Sequence, residues 1–359
     1  MAKAKEAREW AKVALRGIGD SLYTPFTGRD GDDIDWEAYR ILVRYCVGEL
    51  GHPMLWLTSG LAEFWALTLE ERKTLLEVAV EEARAINPDV VIQACTAHTC
   101  AKDCLELTLH AQAHGADVVY IQTPMMEVHA GEGVLRFFQY VADRTDIALG
   151  LFNSGSSGYV LTPAEAIAIY EKIPAVCAMK EGTFQMANSK AIALGAPDMQ
   201  VWECDSNALT AGWAADGLIV KSLLGTSAYV WDYPGDKRGT RYYELLWAGR
   251  IDEAIAYGKS SGLVRTTAAA GGWLTRYPGR PGYFTHWDEV IKYTASVLGL
   301  PVGSWPHSRP PQAILPEQAK TQIREAYERA GLAGVATSAV ERLSKQGRPT
   351  RQEPASALA

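Results

Sequence analysis

Short apolar runs alternate with longer amphipathic stretches eight times between Gly17 and Leu223, and this alternation limits the possible folds more than any other feature of the chain. The runs are "GIGDSLY" from Gly17, "PMLWLT" from Pro53, "DVVIQAC" from Asp89 and "ADVVYIQT" from Ala116, followed by "DIALGLF" from Asp146, "AVCAMK" from Ala175, "MQVWEC" from Met199 and "GLIVKSL" from Gly217. Several are apolar on both faces, as strands of a parallel sheet covered on both sides must be. The stretches between them carry helix signals. In "TLEERKTLLEVAVEEARAI", Thr68 stands at an N-cap position with Glu71 at capping-box spacing. In "TPAEAIAIYEKI", Thr162 caps and Pro163 occupies the first turn. "TCAKDCLELTLHAQAHGA" stops at Gly115, a C-cap glycine. Eight strand–helix repeats predict a (β/α)8 TIM barrel, with a doubly wound open sheet as the alternative. At 359 residues the chain is within the range of one such barrel with additions.

The pattern changes after the eighth run. "YYELLWAGRIDEAIAYGKSSGLVRTTAAAGGW", "HWDEVIKYTASVLGL" and "LPEQAKTQIREAYERAGLAG" read as extra C-terminal helices. The expected organisation is an N-terminal helix over 1–16, a barrel core over 17–235, C-terminal helices packed on the barrel over 236–335, and a disordered polar tail over 336–359.

Composition narrows the partners. The net charge is −7 and no basic stripe is visible, which excludes nucleic acid. The opening "MAKAKEAREWAKVALRG" is charged throughout and lacks the apolar segment of a signal peptide, and no apolar run is long enough to span a membrane. Cys46, Cys95, Cys100, Cys104, Cys177 and Cys204 are scattered, which fits reduced thiols in a cytoplasmic protein rather than a disulfide framework.

In a barrel of this type chemistry lies at the C-terminal strand ends. The sixth run ends there in Lys180, and a lysine is rarely buried without a partner. Glu181 next to it is one possible partner, and Lys221 in the eighth run has a similar setting. The chemical alternative is a neutral amine that attacks a carbonyl. The protonated imine so formed withdraws electrons and stabilises the enamine left when a neighbouring bond breaks. That logic serves aldol cleavage, aldol addition, and hydration or dehydration beside a 2-oxo acid.

The chain resembles the dihydrodipicolinate synthase / N-acetylneuraminate lyase family of class I aldolases from Gly17 to Leu332. "SLYTPFTGRDGDDIDWEAY" is similar to the family's opening strand and "TPF…G.ID" turn, and "TSGLAEFWALTLEER" to "GTTGE…LT.EE". "GADVVYIQTPMM" resembles "GAD…..PYY", "GLFNSGSSGYVLTP" the "YN.P…G..L" strand, "CAMKEGT" the "GIKE.S/T" strand, and "HSRPPQAILPEQ" the terminal "RPP…L" segment. The resemblance implies a barrel, a 2-oxo acid substrate such as pyruvate, a homotetramer or homodimer, no metal or organic cofactor, and an imine formed on Lys180. It further implies that Gly60 and Leu61 offer backbone donors to the substrate carboxylate, and that Phe152, Asn153, Gly182, Met126 and Ser227 line the bound oxo acid.

Several positions depart from the family pattern. Phe152 stands where relatives carry a tyrosine that moves protons, and a phenyl ring has no proton to give. Pro124-Met125-Met126 replaces "PYY", Gly60-Leu61 replaces a threonine pair, and "NSGSSGY" lacks the arginine that holds the synthase's aldehyde. Three readings stay open: an imine enzyme with another acid/base, the same fold with a different reaction, or a non-catalytic relative that binds a small molecule. Tyr23, His98, Asp205, Ser227 and Tyr229 are the candidate acid/base groups. Met125, Met126, Phe152, Leu61, Phe64 and Trp65 suggest an apolar pocket edge for an aromatic or bulky aldehyde partner, which leans towards the hydratase-aldolase branch.

Other signals are weak. Cys95, His98, Cys100 and Cys104 have the residue types of a zinc site, but Cys100 and Cys104 fall one helical turn apart, where small thiols are ordinary core residues. No G-x-S-x-G elbow, dinucleotide fingerprint or P-loop is present.

Overall fold

The computed structural model describes residues 3–124, 131–154, 159–183, 186–203, 222–263 and 287–346. One parallel sheet of eight strands organises them. Its strands are β1 (Gly17–Ser21), β2 (Met54–Leu57), β3 (Val91–Cys95), β4 (Val118–Gln122), β5 (Ala148–Ser154), β6 (Val176–Gly182), β7 (Gln200–Glu203) and β8 (Ser222–Thr226). β8 pairs with β1, and pairing then runs in chain order to β7, which lies beside β8 and closes the ring. This is the TIM barrel. The eighth strand is described over Ser222–Thr226, and the earlier part of the run expected from Gly217 lies outside the described residues.

The helices are α1 (Ala7–Ala14), α2 (Trp36–Arg44), α3 (Leu69–Ile86), α4 (Ala101–Ala113), α5 (Glu132–Ala142), α6 (Pro163–Lys172), α7 (Met186–Gly195), α8 (Arg238–Trp247), α9 (Ile251–Ser260), α10 (Trp287–Leu298), α11 (Glu317–Arg329) and α12 (Thr337–Lys345). Thr68 and Thr162 both form complete capping boxes, with Glu71 and Glu165. Gly115 takes φ +93 just past α4, a conformation that favours glycine.

Strand alternation sorts the core into two layers. Ile18, Leu55, Ile92, Val119, Leu151 and Met179 face the helices. Met54, Trp56, Cys95, Val118, Tyr120, Phe152, Ala178 and Trp202 fill the interior, where Ala7, Ala11 and Leu15 of the N-terminal segment join them. Arg8 of α1 donates to the carbonyls of Tyr170 and Val176, which holds this helix at the N-terminal end of β6. One expectation fails at the other terminus. Within the segment read as a disordered tail over 336–359, Thr337–Lys345 forms α12, because Ala339 and Leu343 recur at helical spacing and bury against α2; residues 347–359 lie outside the described residues.

Candidate active site

β6 is buried along its whole length. Its register with β5 shifts: Leu149 faces Val176, whereas Gly150 faces Ala178, so the pairing passes over Cys177. An extra residue of this kind re-aims the side chains that follow. Ala178 and Lys180 then point into the barrel, and Met179 and Glu181 away from it.

Lys180 is 6% exposed. Its Nζ sits 4.4 Å from the Phe152 ring centroid and 5.3 Å from that of Trp56. Phe152 is its register neighbour on one side and Trp202 on the other. Trp56 meets Phe152 edge-on at 5.2 Å and Tyr120 at 5.9 Å. Among the described residues no carboxylate or carbonyl bonds to the Lys180 amine. Glu181 is turned the other way. Its carboxylate accepts from Asn153 Nδ2 at 2.9 Å and from the Thr183 N–H at 2.8 Å.

Asn153 therefore does not line the site as expected. It follows Phe152 by one residue, so strand alternation sends it to the opposite face. There its amide donates to the Leu161 carbonyl at 3.0 Å and accepts from the Leu161 N–H at 2.9 Å. It fixes the return of the chain after β5.

A phenol lies beside the Phe152–Lys180 layer, contributed by Tyr120. Tyr120 projects from β4 across β5, and its ring lies on Gly150: a Cβ there would meet Tyr120 Cε1 at 2.4 Å. The Tyr120 hydroxyl reaches the far side and accepts from Trp202 Nε1 at 2.9 Å. The phenol thus spans the strand pair beneath the Phe152–Lys180 layer. Burial pushes its pKa well above the usual value, so it stays protonated. Gln122 lies two residues further along the same inward face, in register with Phe152. It is 1% exposed, and neither amide atom has a hydrogen-bond partner among the described residues.

The loop after β2 supplies donors. The Gly60 and Leu61 N–H groups have no acceptor among the described residues, because the turn spends its bonds on Ala62, Glu63 and Phe64. The Leu61 side chain is 4% exposed and packs in the helix-facing core, so only its backbone is available. Thr58 at φ +51 and Glu63 at φ +60 bracket the turn in the left-handed region. Such strain persists only when neighbours hold it. Thr58 Oγ1 donates to the Cys95 carbonyl at 2.8 Å. Glu63 forms a fully buried ion pair with Lys292 and accepts from the Arg309 N–H at 3.0 Å. Burial raises the Glu63 carboxyl against the pull of the Lys292 ammonium. Phe26 lies between Lys292 at 4.2 Å and Arg309 at 4.4 Å. The "TPF", "GLAEF" and "HSRPP" segments are thus one assembly that sets the donor loop.

Of the other expected positions, Gly182 ends β6 on the Lys180 face and is buried. Ser227 follows β8 and is 1% exposed. Met126 and Asp205 lie outside the described residues. Tyr23 and Tyr229 spend their protons on the carbonyls of Pro301 and Ser21. His98 sits at the rim beside Asp103, with Nδ1 accepting from the Cys100 N–H. Cys95 faces the interior while Cys104 is buried on the helix side, so the suspected Cys/His set does not converge. Trp56, Tyr120, Gln122 and Trp202 were missed. Their signal was polar or aromatic residues at alternate positions of otherwise apolar strands.

The fold and this constellation define an aldolase-type TIM barrel, with a buried lysine inside the ring at the C-terminal end of the sixth strand. Residues 14–224 match the family model described as the dihydrodipicolinate synthetase family, and the chain belongs to that family. A 4-hydroxy-tetrahydrodipicolinate synthase of Bacillus velezensis is 30% identical over 52% of this chain and 63% of its own length. Its counterpart in Thermotoga neapolitana is 31% identical over 46% and 55%. The match thus spans less than two thirds of the length of these relatives. Among solved structures, YagE from E. coli K12 in complex with pyruvate has a TM-score of 0.74 at 21% identity, covering 89% of this chain and 99% of its own. The synthase from Aquifex aeolicus gives 0.74 at 20%, with the same coverage. No helix among the described residues is long and apolar enough to cross a membrane.

Proposed function

We propose that this protein is a class I lyase that holds a 2-oxo acid as an imine on Lys180 and makes or breaks the adjoining carbon–carbon or carbon–oxygen bond. The observation that carries this reading is the Lys180 amine, buried against Phe152 and Trp56 with no acidic partner among the described residues. Family membership and the pyruvate bound in YagE support it.

The Nζ lone pair adds to C2 of the oxo acid, and with one proton taken up the C2 oxygen leaves as water and a protonated imine remains. In cleavage of a 4-hydroxy-2-oxo acid, the C3–C4 electron pair moves into the imine as the C4 hydroxyl releases its proton. An aldehyde departs and an enamine remains. C3 then takes a proton, and water hydrolyses the imine to free pyruvate and Lys180. The Gly60 and Leu61 N–H groups suit the substrate carboxylate, replacing the missing hydroxyl pair with backbone donors. Phe152 cannot move a proton, and the Tyr120 phenol beneath the lysine layer is the group we assign to that role. The aromatic interior favours an aromatic or bulky apolar aldehyde, and Gln122 offers that aldehyde one polar contact.

The test is pyruvate release from aryl-substituted, 4-hydroxy or 3,4-unsaturated 2-oxo acids, followed with a coupled dehydrogenase. Turnover in the wild type and none in Lys180→Ala supports the reading. Equal pyruvate release by the two proteins contradicts it. Binding without turnover in the wild type favours the non-catalytic alternative.

A further inference from the structure

We propose that Glu77, His110 and His114 form a binding site for a divalent transition-metal ion of the zinc class, which clips α3 to α4 on the outside of the barrel. The three residues offer one ligand atom each, and these atoms lie within 4.8 Å of one another. His110 Nε2 is 3.1 Å from Glu77 Oε1, and His114 Nδ1 is 3.6 Å from the same oxygen. Ligand atoms 2.0–2.1 Å from a tetrahedral ion stand about 3.3 Å apart, so one ion fits between them with small side-chain adjustments.

The local sequence explains why the two imidazoles meet. His110 is in the last turn of α4, and the His114 N–H donates to the His110 carbonyl at 3.0 Å, keeping the i, i+4 pair on one face. Gly115 then turns the chain away at φ +93. The rings stack at 4.1 Å with 19° between their planes. Glu77 on α3 faces both. His110 Nε2 is buried and, despite its closeness to Glu77, lacks hydrogen-bond geometry to any described residue. A buried ring nitrogen aimed at a carboxylate beside a second imidazole is a set of donors without an acceptor of positive charge. Lys73, also on α3, is engaged by Glu70 and Glu106. Two imidazoles and a carboxylate match zinc, nickel or cobalt rather than calcium or magnesium. The site lies on the helix layer, on the other side of the sheet from Lys180, so the ion has no part in the imine chemistry.

The test uses the full chain, freed of metal and titrated with Zn²⁺ by calorimetry and with Co²⁺ by visible absorption. The proposal predicts one ion per chain, a tetrahedral cobalt spectrum, and a rise in melting temperature with Zn²⁺. His110→Gln, His114→Gln and Glu77→Gln should each weaken binding at least tenfold, and His110→Gln/His114→Gln together should abolish the spectrum and the thermal shift. Pyruvate trapping on Lys180 should be the same with and without Zn²⁺. No stoichiometric uptake by the wild type overturns the proposal, as does uptake retained in the double variant.

Discussion

At the residue scale, the chemistry depends on what surrounds one amine. The position of Lys180 was legible because an apolar run ending in lysine at a strand terminus leaves few options. Its surroundings were not, because they depend on which strand crosses which. Tyr120 reaches Trp202 only because Gly150, on the first of the two strands between them, has no side chain. Tyr120→Phe keeps the ring and removes the proton; kcat for pyruvate release should fall about 100-fold while the borohydride adduct still forms. Unchanged kcat at unchanged melting temperature would remove Tyr120 from the relay. Gln122 is the second test. A buried amide without a partner rewards a substrate that supplies one. The wild type should favour a hydroxyaryl over an unsubstituted aryl substrate by about tenfold in kcat/KM, a difference of about 1.4 kcal/mol. Gln122→Leu should level the two; a preserved preference assigns the recognition elsewhere. Asn153 shows the limit of reasoning by neighbouring position. It is adjacent to Phe152 in sequence and on the opposite face of the sheet.

At the scale of elements, caps and strand periodicity were legible, and register was not. Thr68 and Thr162 cap as their spacing indicates. The shift that passes over Cys177 leaves no mark in composition, yet it directs Lys180 inward. Gly150→Ala should cost about 1–3 kcal/mol in denaturant unfolding, since the new methyl meets the Tyr120 ring. A second element-level device links β1 to the segments before β2 and after β8. His52, fully buried, lies between Asp20 and Asp232, the latter 3.1 Å from Nε2. Burial alone lowers the imidazole, but the two aspartates outweigh it and raise it to about 9 from a usual 6.5. The imidazolium then stabilises the fold fully below pH 6.5, and that contribution is lost as pH rises through about 9. Unfolding curves across this window should show the decline in the wild type and a flatter profile in His52→Gln. Parallel profiles would place the pH dependence in other groups.

At the scale of the whole molecule, the barrel was legible because its repeat is long and regular. The C-terminal region was harder, because its helices are explained by what they cover. Lys292 and Arg309 reach back to Glu63, Glu71 and Phe26, and so position the turn that carries the Gly60 and Leu61 donors. α12 was read as tail since its surface is polar, yet Leu343 is 6% exposed and its carbonyl meets Arg44. Ending the chain after Ala336 should lose about 2 kcal/mol of stability, from the apolar area no longer covered. An unchanged unfolding midpoint would mean that α12 adds nothing to the fold. The imine on Lys180 is a covalent bond, and intact-protein mass spectrometry after borohydride treatment with pyruvate reads it. The account predicts one reduced pyruvate adduct per chain, mapped to Lys180 and absent in Lys180→Ala. No adduct with pyruvate or any bulkier 2-oxo acid, or an adduct that persists in Lys180→Ala, would contradict it.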